Sequence, residues 1–381
     1  MNKKMCQKDT KEIVNMKNNR LGYVAIEAVI TGALILSVGF FALLSLSGHG
    51  TAASSKAMAK LDGTGVFESS GTITQPSAEI EYDANGYDKT LNIKTADINP
   101  LSDFEFEDMG SSYRIINYLN MSRMDVIVPS KYSDGKPITG IGAMSSNATM
   151  EGKSLTSVVL PNTITEIYSF AFAYSELKGI SIPDSVTYLG DNAFQLNQSL
   201  TSVTLSKNLT SIPMNAFDGS PLTALSLPNG ITEIGEYAFQ YNNAPTIVIP
   251  ATVQRIGQNA FKYNDKITSL TLNEGLTSIG VEAFAYNTIT SLIIPSTVVE
   301  IGKGAFSMSG LTSIEFKGNV PTVIDPNGQY DGQEDIPGII ENGVFGFCNL
   351  GAHSIKVPVG QLAVYQANTA SFGVSMDAFY E

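Results

Sequence analysis

The chain has 381 residues, with 23 basic against 36 acidic side chains and a formal net charge of −13. A surface of that sign repels phosphate, so no nucleic-acid partner is expected. Two cysteines (Cys6, Cys348) and two histidines (His49, His353) exclude a disulfide framework and a zinc cluster at ligand spacing.

In chain order, residues 1–22 form a basic leader with Lys3, Lys4, Lys8, Lys11, Lys17 and Arg20. An apolar run of 24 residues follows, Tyr23 to Leu46. As a helix it reaches about 36 Å, enough to span a bilayer with some tilt. The basic flank predicts a cytoplasmic start, with everything after the run outside. Glu27 is out of place there, since a carboxylate in the bilayer core costs on the order of 3 kcal/mol or more. It stands near the start of the run, where it could snorkel to the interface. Residues 51–61 could continue the helix, so residues 23–61 are read as a membrane-spanning helical unit. Gly-, Ser- and Thr-rich sequence then predicts a spacer over 62–100.

Residues 101–154 hold a degenerate unit, with Val126, Val128 and Pro129 in one half and Ile138, Ile141 and Gly142 in the other. This predicts an N-terminal cap. From Leu155 to Phe316 a block of about 22 residues is written eight times, starting at Leu155, Leu177, Leu200, Leu222, Ala244, Ile267, Ile289 and Leu311. Its template is L-x-x-V-x-L-P-x-x-V-x-x-I-G-x-x-A-F, and a period of about 20–29 residues with that core predicts a leucine-rich-repeat solenoid. The repeats occupy 155–318. A last repeat and cap follow over 319–381, with Gly343–Phe345 and Ile355–Pro358 restoring the pattern. The fold class is thus a solenoid with a parallel β-sheet and short turns or strands on its other face, preceded by one transmembrane α-helix. The acidic loop over 325–335 fits no known calcium-loop spacing and reads as a surface turn.

Within a repeat, V-x-L alternates as a strand requires. Eight such strands would make a sheet about 34 Å across. The Gly at 190, 235, 257, 280 and 302 is expected to permit a tight bend, and Phe172, Phe194, Phe217, Phe239, Phe261, Phe284 and Phe306 to stack inside. Two outward rows define the candidate binding face: Ser157, Gly179, Ser202, Ala224, Thr246, Ser269, Ser291, Ser313, and Val159, Ser181, Thr204, Ser226, Val248, Thr271, Ile293, Glu315. They are small, hydroxyl-rich and nearly neutral. They contain no aromatic or Arg, the usual interface anchors, and a merely solvated sheet would look the same.

The stretch RLGYVAIEAVITGALIL resembles the leader junction of type IV prepilins. The resemblance implies cleavage between Gly22 and Tyr23, N-methylation of Tyr23, and Glu27 facing a neighbouring subunit's terminal amine. Leu21 stands where that family usually has a basic residue, and Gly48 and Gly50 interrupt the helix early. An uncleaved signal anchor is the alternative. The repeated P-x-x-V-x-x-I-G-x-x-A-F, together with Cys348 and the closing V-P-x-G, resembles the BspA-like branch of leucine-rich repeats over about residues 110–368. Interior copies are read as replacing that cysteine with Tyr174, Asn197, Tyr241 or Tyr286. The resemblance implies an extracellular protein engaged in adhesion.

No G-x-S-x-G, H-E-x-x-H or phosphate-binding glycine loop is present, so no enzyme, cofactor or metal is expected. The expected function is a bacterial cell-surface protein, membrane-anchored through residues 23–46, that binds an extracellular protein or glycan. It could serve as a minor pilin-like subunit in a surface filament. The alternative is a structural component of a pilus or secretion apparatus, packed only against pilin-like subunits.

Overall fold

The computed structural model describes residues 81–142, 150–325, 343–346, 348 and 350–381. Each repeat is one coil, and successive coils are joined by parallel pairing at two places. The V-x-L segments pair as 125–127 with 157–159, 179–181 with 202–204, and 246–249 with 269–272. A further group joins 291–294, 313–316, 355–356 and 379–380. The x-I segments form a second sheet, in which Glu233–Ile234, Arg255–Ile256, Ser278–Ile279 and Glu300–Gly302 follow one another in register. A third ladder runs through the Ala-Phe turns, where Phe194 N–H donates to Ala216 O at 2.9 Å and Phe217 N–H to Ala238 O at 2.9 Å.

The first sheet is not the single ribbon expected, and a proline accounts for one of its interruptions. Thr223 N–H donates to Thr201 O at 2.9 Å and Thr268 N–H to Pro245 O at 2.9 Å. Pro245 stands between them in the pattern and has no N–H to offer Thr223. In the second sheet, Gly235 N–H and Gly257 N–H each reach back 2.7 Å to an Ile carbonyl of the preceding coil. Pro213 takes that position in its own coil, and the sheet breaks between Tyr188–Leu189 and Ser211–Ile212.

The glycine of the I-G pair has a different purpose from the tight bend expected. Neither Gly190 nor Gly302 has positive φ. A Cβ on Gly190 would lie 2.3 Å from Ser169 N, and one on Gly302 only 2.2 Å from Val281 N. Hydrogen is required there because the backbone of the preceding coil passes so close. The left-handed positions are elsewhere. They flank Ala-Phe, for example at Tyr237 and Tyr241 (φ 56° and 58°) and at Glu282 and Tyr286 (φ 51° and 59°).

Inside, the seven expected phenylalanines are fully buried and form a column. Ring centroids are 5.1–5.5 Å apart from Phe172 to Phe306, and Phe345 extends the column at 5.8 Å. Burying each such ring contributes about 1.5–3 kcal/mol, realised only when the next coil is in place.

Three residues after each Phe a polar side chain is turned inward. Asn197 donates to Phe172 O at 2.8 Å and to Phe194 O at 3.0 Å, and Ser220 to Phe194 O at 3.0 Å. Asn264 reaches Phe239 O at 2.9 Å, Ser309 reaches Phe306 O at 2.7 Å, and Cys348 Sγ reaches the same oxygen at 3.1 Å. These carbonyls are otherwise unpaired in a dry interior, so each coil supplies a short donor there. Cys348 therefore corresponds to Asn197, Ser220 and Asn264. Tyr174, Tyr241 and Tyr286 fall one residue early, and Tyr241 and Tyr286 pack instead against the Tyr263 ring, at centroid distances of 4.8 and 4.7 Å.

Both ends are closed. At the front, Phe104–Asp108 pairs antiparallel with Tyr113–Tyr118, which passes the register to Ile138–Ile141. At the back, short helices Leu362–Gln366 and Thr369–Phe372 bury Tyr365 and Phe372. These rings meet Phe316 at centroid distances of 5.0 and 5.7 Å. No helix among the described residues is long and apolar enough to cross a membrane. The run 23–46, with Gly22, Tyr23 and Glu27, lies outside the described residues.

Candidate recognition face

The outward side of the first sheet begins at the front with a departure from expectation. Ser157 and Val159 are buried, at 7% and 8% exposure. Residues 81–99 cover this end, although the sequence placed them in the spacer. Tyr87, Ile127 and Val159 form an apolar cluster, with Leu91, Ile93 and Ile98 packed against it. Tyr87 Oη donates to Val128 O at 2.6 Å, and burial holds its phenol well above the usual range. Asn99 caps the edge strand by donating its N–H to Ile127 O at 3.1 Å and accepting from Ile127 N–H at 2.9 Å. Further out, Asn162 N–H donates to Gly86 O at 2.6 Å. Ser157 itself bonds Asp125 Oδ1 at 2.8 Å. The only sequence signal for this cover was the run of apolar residues at 87, 91, 93 and 98, which matches no repeat position.

Beyond this cover the face opens. Gly179 is buried and Ser181 and Ser202 are half-buried. Thr204, Ser226, Ser269, Thr271, Ser291 and Ser313 are exposed, and Thr246 is half-buried. Val248 and Ile293 interrupt the hydroxyl surface, at 36% and 52% exposure. At the far end Glu315 receives Lys317 at 2.8 Å and Lys356 at 3.3 Å. The hydrogen bond from Lys317, with Lys356 adding to it, holds the Glu315 carboxyl below its ordinary range. The exposed part of the two rows is therefore shortened at the front, where Ser157 and Val159 are buried, and tipped with charge at the back.

No group of three or more His, Cys, Asp or Glu among the described residues could hold a metal ion. His353 stacks near Tyr380, with centroids 5.8 Å apart. The Cys348 thiol is pushed up to about 11 by burial. It bonds a backbone carbonyl and lacks the electropositive surroundings of a reactive thiolate.

Residues 143–245 and 232–326 match the BspA type leucine rich repeat region, in six copies. Among curated proteins nothing matches. Among solved structures, the chain resembles a leucine rich cell surface protein from Faecalibacterium prausnitzii A2-165. That match has 24% identity and a TM-score of 0.38, over 58% of this chain and 83% of the other. It also resembles the T. pallidum leucine rich repeat protein, at 21% identity and a TM-score of 0.31, over 59% and 83%. A third is the pneumococcal vaccine antigen PcpA, at 15% identity and a TM-score of 0.35, over 73% and 97%.

Proposed function

Because the repeats of this chain are a BspA-type leucine-rich repeat region, we propose that it is a surface recognition protein. The open side of the first sheet, from Thr204 to Glu315, is its binding face for an extracellular protein or glycan. The observation that carries this reading is the selective cover: residues 81–99 pack over Ile127 and Val159 at the front, whereas among the described residues Val248 and Ile293 of the same row stay exposed. Isolated apolar residues are common on surfaces, but these two recur at one row of the repeat, on the strands 246–249 and 291–294. In this proposal the apolar run 23–46 anchors the protein in the cell membrane with the repeats outside. The sequence around Gly22, Tyr23 and Glu27 adds a prepilin-like route into a surface filament.

Two measurements test it. Immobilised matrix proteins and glycans are probed with the full chain and with Ile293→Asp. Saturable binding that the variant weakens supports the reading, and no saturable binding overturns it. Sequencing of the mature N-terminus decides the leader. An N-methylated Tyr23 in sheared filaments supports processing, whereas a Met1 start in the membrane fraction removes it.

A further inference from the structure

The segment that covers the front of the sheet also indicates what the open part can hold. Residues 81–99 carry Glu81, Asp83, Asp88 and Asp97 against Lys89 and Lys94. This acidic segment places Tyr87, with Leu91, Ile93 and Ile98, on Ile127 and Val159. Ile127 and Val159 are register partners on neighbouring strands. Four and six coils further on, the row that contains Val159 is aliphatic again, at Val248 and Ile293, and there none of the described residues covers it. Thr271 lies between them and pairs with Val248. On the row's other side Ile293 pairs with Glu315, and Glu315 with Lys356. Two lysines around one carboxylate leave this edge locally positive in a chain whose net charge is −13.

We propose that Val248, Thr271 and Ile293, with the Lys317 and Lys356 edge, dock an acidic polypeptide segment bearing aromatic or aliphatic side chains. The inference rests on the recognition face proposed above and narrows its ligand to polypeptide. Apolar side chains of the partner cover Val248 and Ile293 as Tyr87 and its neighbours cover Val159. Its carboxylates meet the two lysines in place of, or beside, Glu315. The pairing of an aliphatic stripe with a basic end matches the composition of the segment that the sheet already holds, whereas a neutral glycan would engage neither part.

A synthetic peptide of residues 81–99 is the probe, titrated by fluorescence anisotropy into the full chain. Saturable binding is expected. It should weaken at least tenfold with Ile293→Asp, weaken with rising salt, and weaken in the Lys317→Glu/Lys356→Glu double variant. Tyr188→Ser, on the outer side of the second sheet, should leave it unchanged. All these positions are exposed, and unchanged melting temperatures would exclude misfolding as the cause. The proposal is overturned by no saturation at millimolar peptide, or by binding indifferent to Ile293→Asp. It is equally overturned by binding lost with Val159→Asp alone, because the peptide would then merely exchange with the chain's own segment. Matrix-protein binding that depends on Ile293 while the peptide fails to bind would preserve the recognition face and reject this ligand.

Discussion

Lys262 Nζ lies 2.6 Å from Glu282 Oε2 in the next coil, and the two side chains are only 8% and 3% exposed. The ammonium also stands 5.0 Å from the Tyr263 ring centre and 5.9 Å from that of Tyr286. Three coils earlier a neutral-to-charged contact does similar work, where Gln195 donates to Asp218 at 3.1 Å. The Ala-Phe turns therefore carry polar side chains that join coil to coil outside the phenylalanine column. Removing two charges from water is costly, so such a pair persists only with close geometry and added contacts, both present here.

This relationship predicts an asymmetry. Lys262→Met should cost about 3–5 kcal/mol, because it leaves the Glu282 carboxylate buried without its cation. The Lys262→Met/Glu282→Leu double variant should recover most of the loss. Leu is suited to position 282 because Leu196 already occupies a left-handed position of these turns, at φ 54°. Urea denaturation of the three proteins checks this. A double variant no better than the single one would show that the pair is replaceable only as a pair of charges.

The column predicts a second result. Phe239 touches Phe217 at 5.5 Å and Phe261 at 5.3 Å. Phe239→Ala should cost about 3–5 kcal/mol, since both neighbouring coils lose a face. Asn197→Ala should cost about 1–3 kcal/mol for a different reason. It leaves the Phe172 carbonyl without its donor and the Phe194 carbonyl with Ser220 alone. Asn197→Ser should restore part of that, as Ser220 already fills the equivalent place. Equal losses for Ala and Ser at 197 would mean that the amide fills space and its hydrogen bonds do not matter.

Glycine substitutions separate close approach from backbone freedom. Gly302→Ala places a methyl 2.2 Å from Val281 N, whereas a Cβ on Gly351 meets nothing within 4 Å. The first change should destabilise by more than about 3 kcal/mol, comparable to other severe overpacking, and the second by less than about 0.5 kcal/mol. Thermal denaturation distinguishes them directly.

Most of the interior was legible because a coil is short and its inward positions recur. Once Val158, Leu160, Ile164, Ile167 and Phe172 were aligned with their counterparts, burial followed from strand alternation and the need to cover each coil's apolar side. The ladder breaks were also written in the chain, at Pro213 and Pro245, but become visible only when it is known which N–H bonds backward. The donor after Phe was written at a constant offset of three residues, and the conspicuous tyrosines one residue earlier drew the correspondence away from it. The cover over Val159 was not legible. Residues 81–99 share no repeat pattern, and their position is set by tertiary contacts such as Tyr87 to Val128 and Asn99 to Ile127. The candidate face was therefore read too long at its front, where Ser157 and Val159 are buried.

The last prediction concerns pH and the one described cysteine. Burial raises the Cys348 thiol from 9.0 to about 11 in the folded chain, against smaller lowering contributions from Ser309. A group whose folded value is raised contributes fully below its unfolded value and loses that contribution as pH climbs toward the folded one. Stability should therefore be constant up to about pH 9 and decline above it. The total loss by pH 11 should be on the order of 2 kcal/mol, allowing for the thiol's partial exposure. Tyr118, raised by burial from 10.0 to about 12, acts in the same direction but only from pH 10 upward. The interval between pH 9 and 10 thus reports chiefly on Cys348. Cys348→Ser keeps a short donor toward Phe306 O, as Ser309 shows at 2.7 Å, and removes the titrating group. Urea midpoints measured at pH 8, 9 and 10 should fall in the parent and stay level in the variant. A parallel decline in both would assign the alkaline loss to the tyrosines instead.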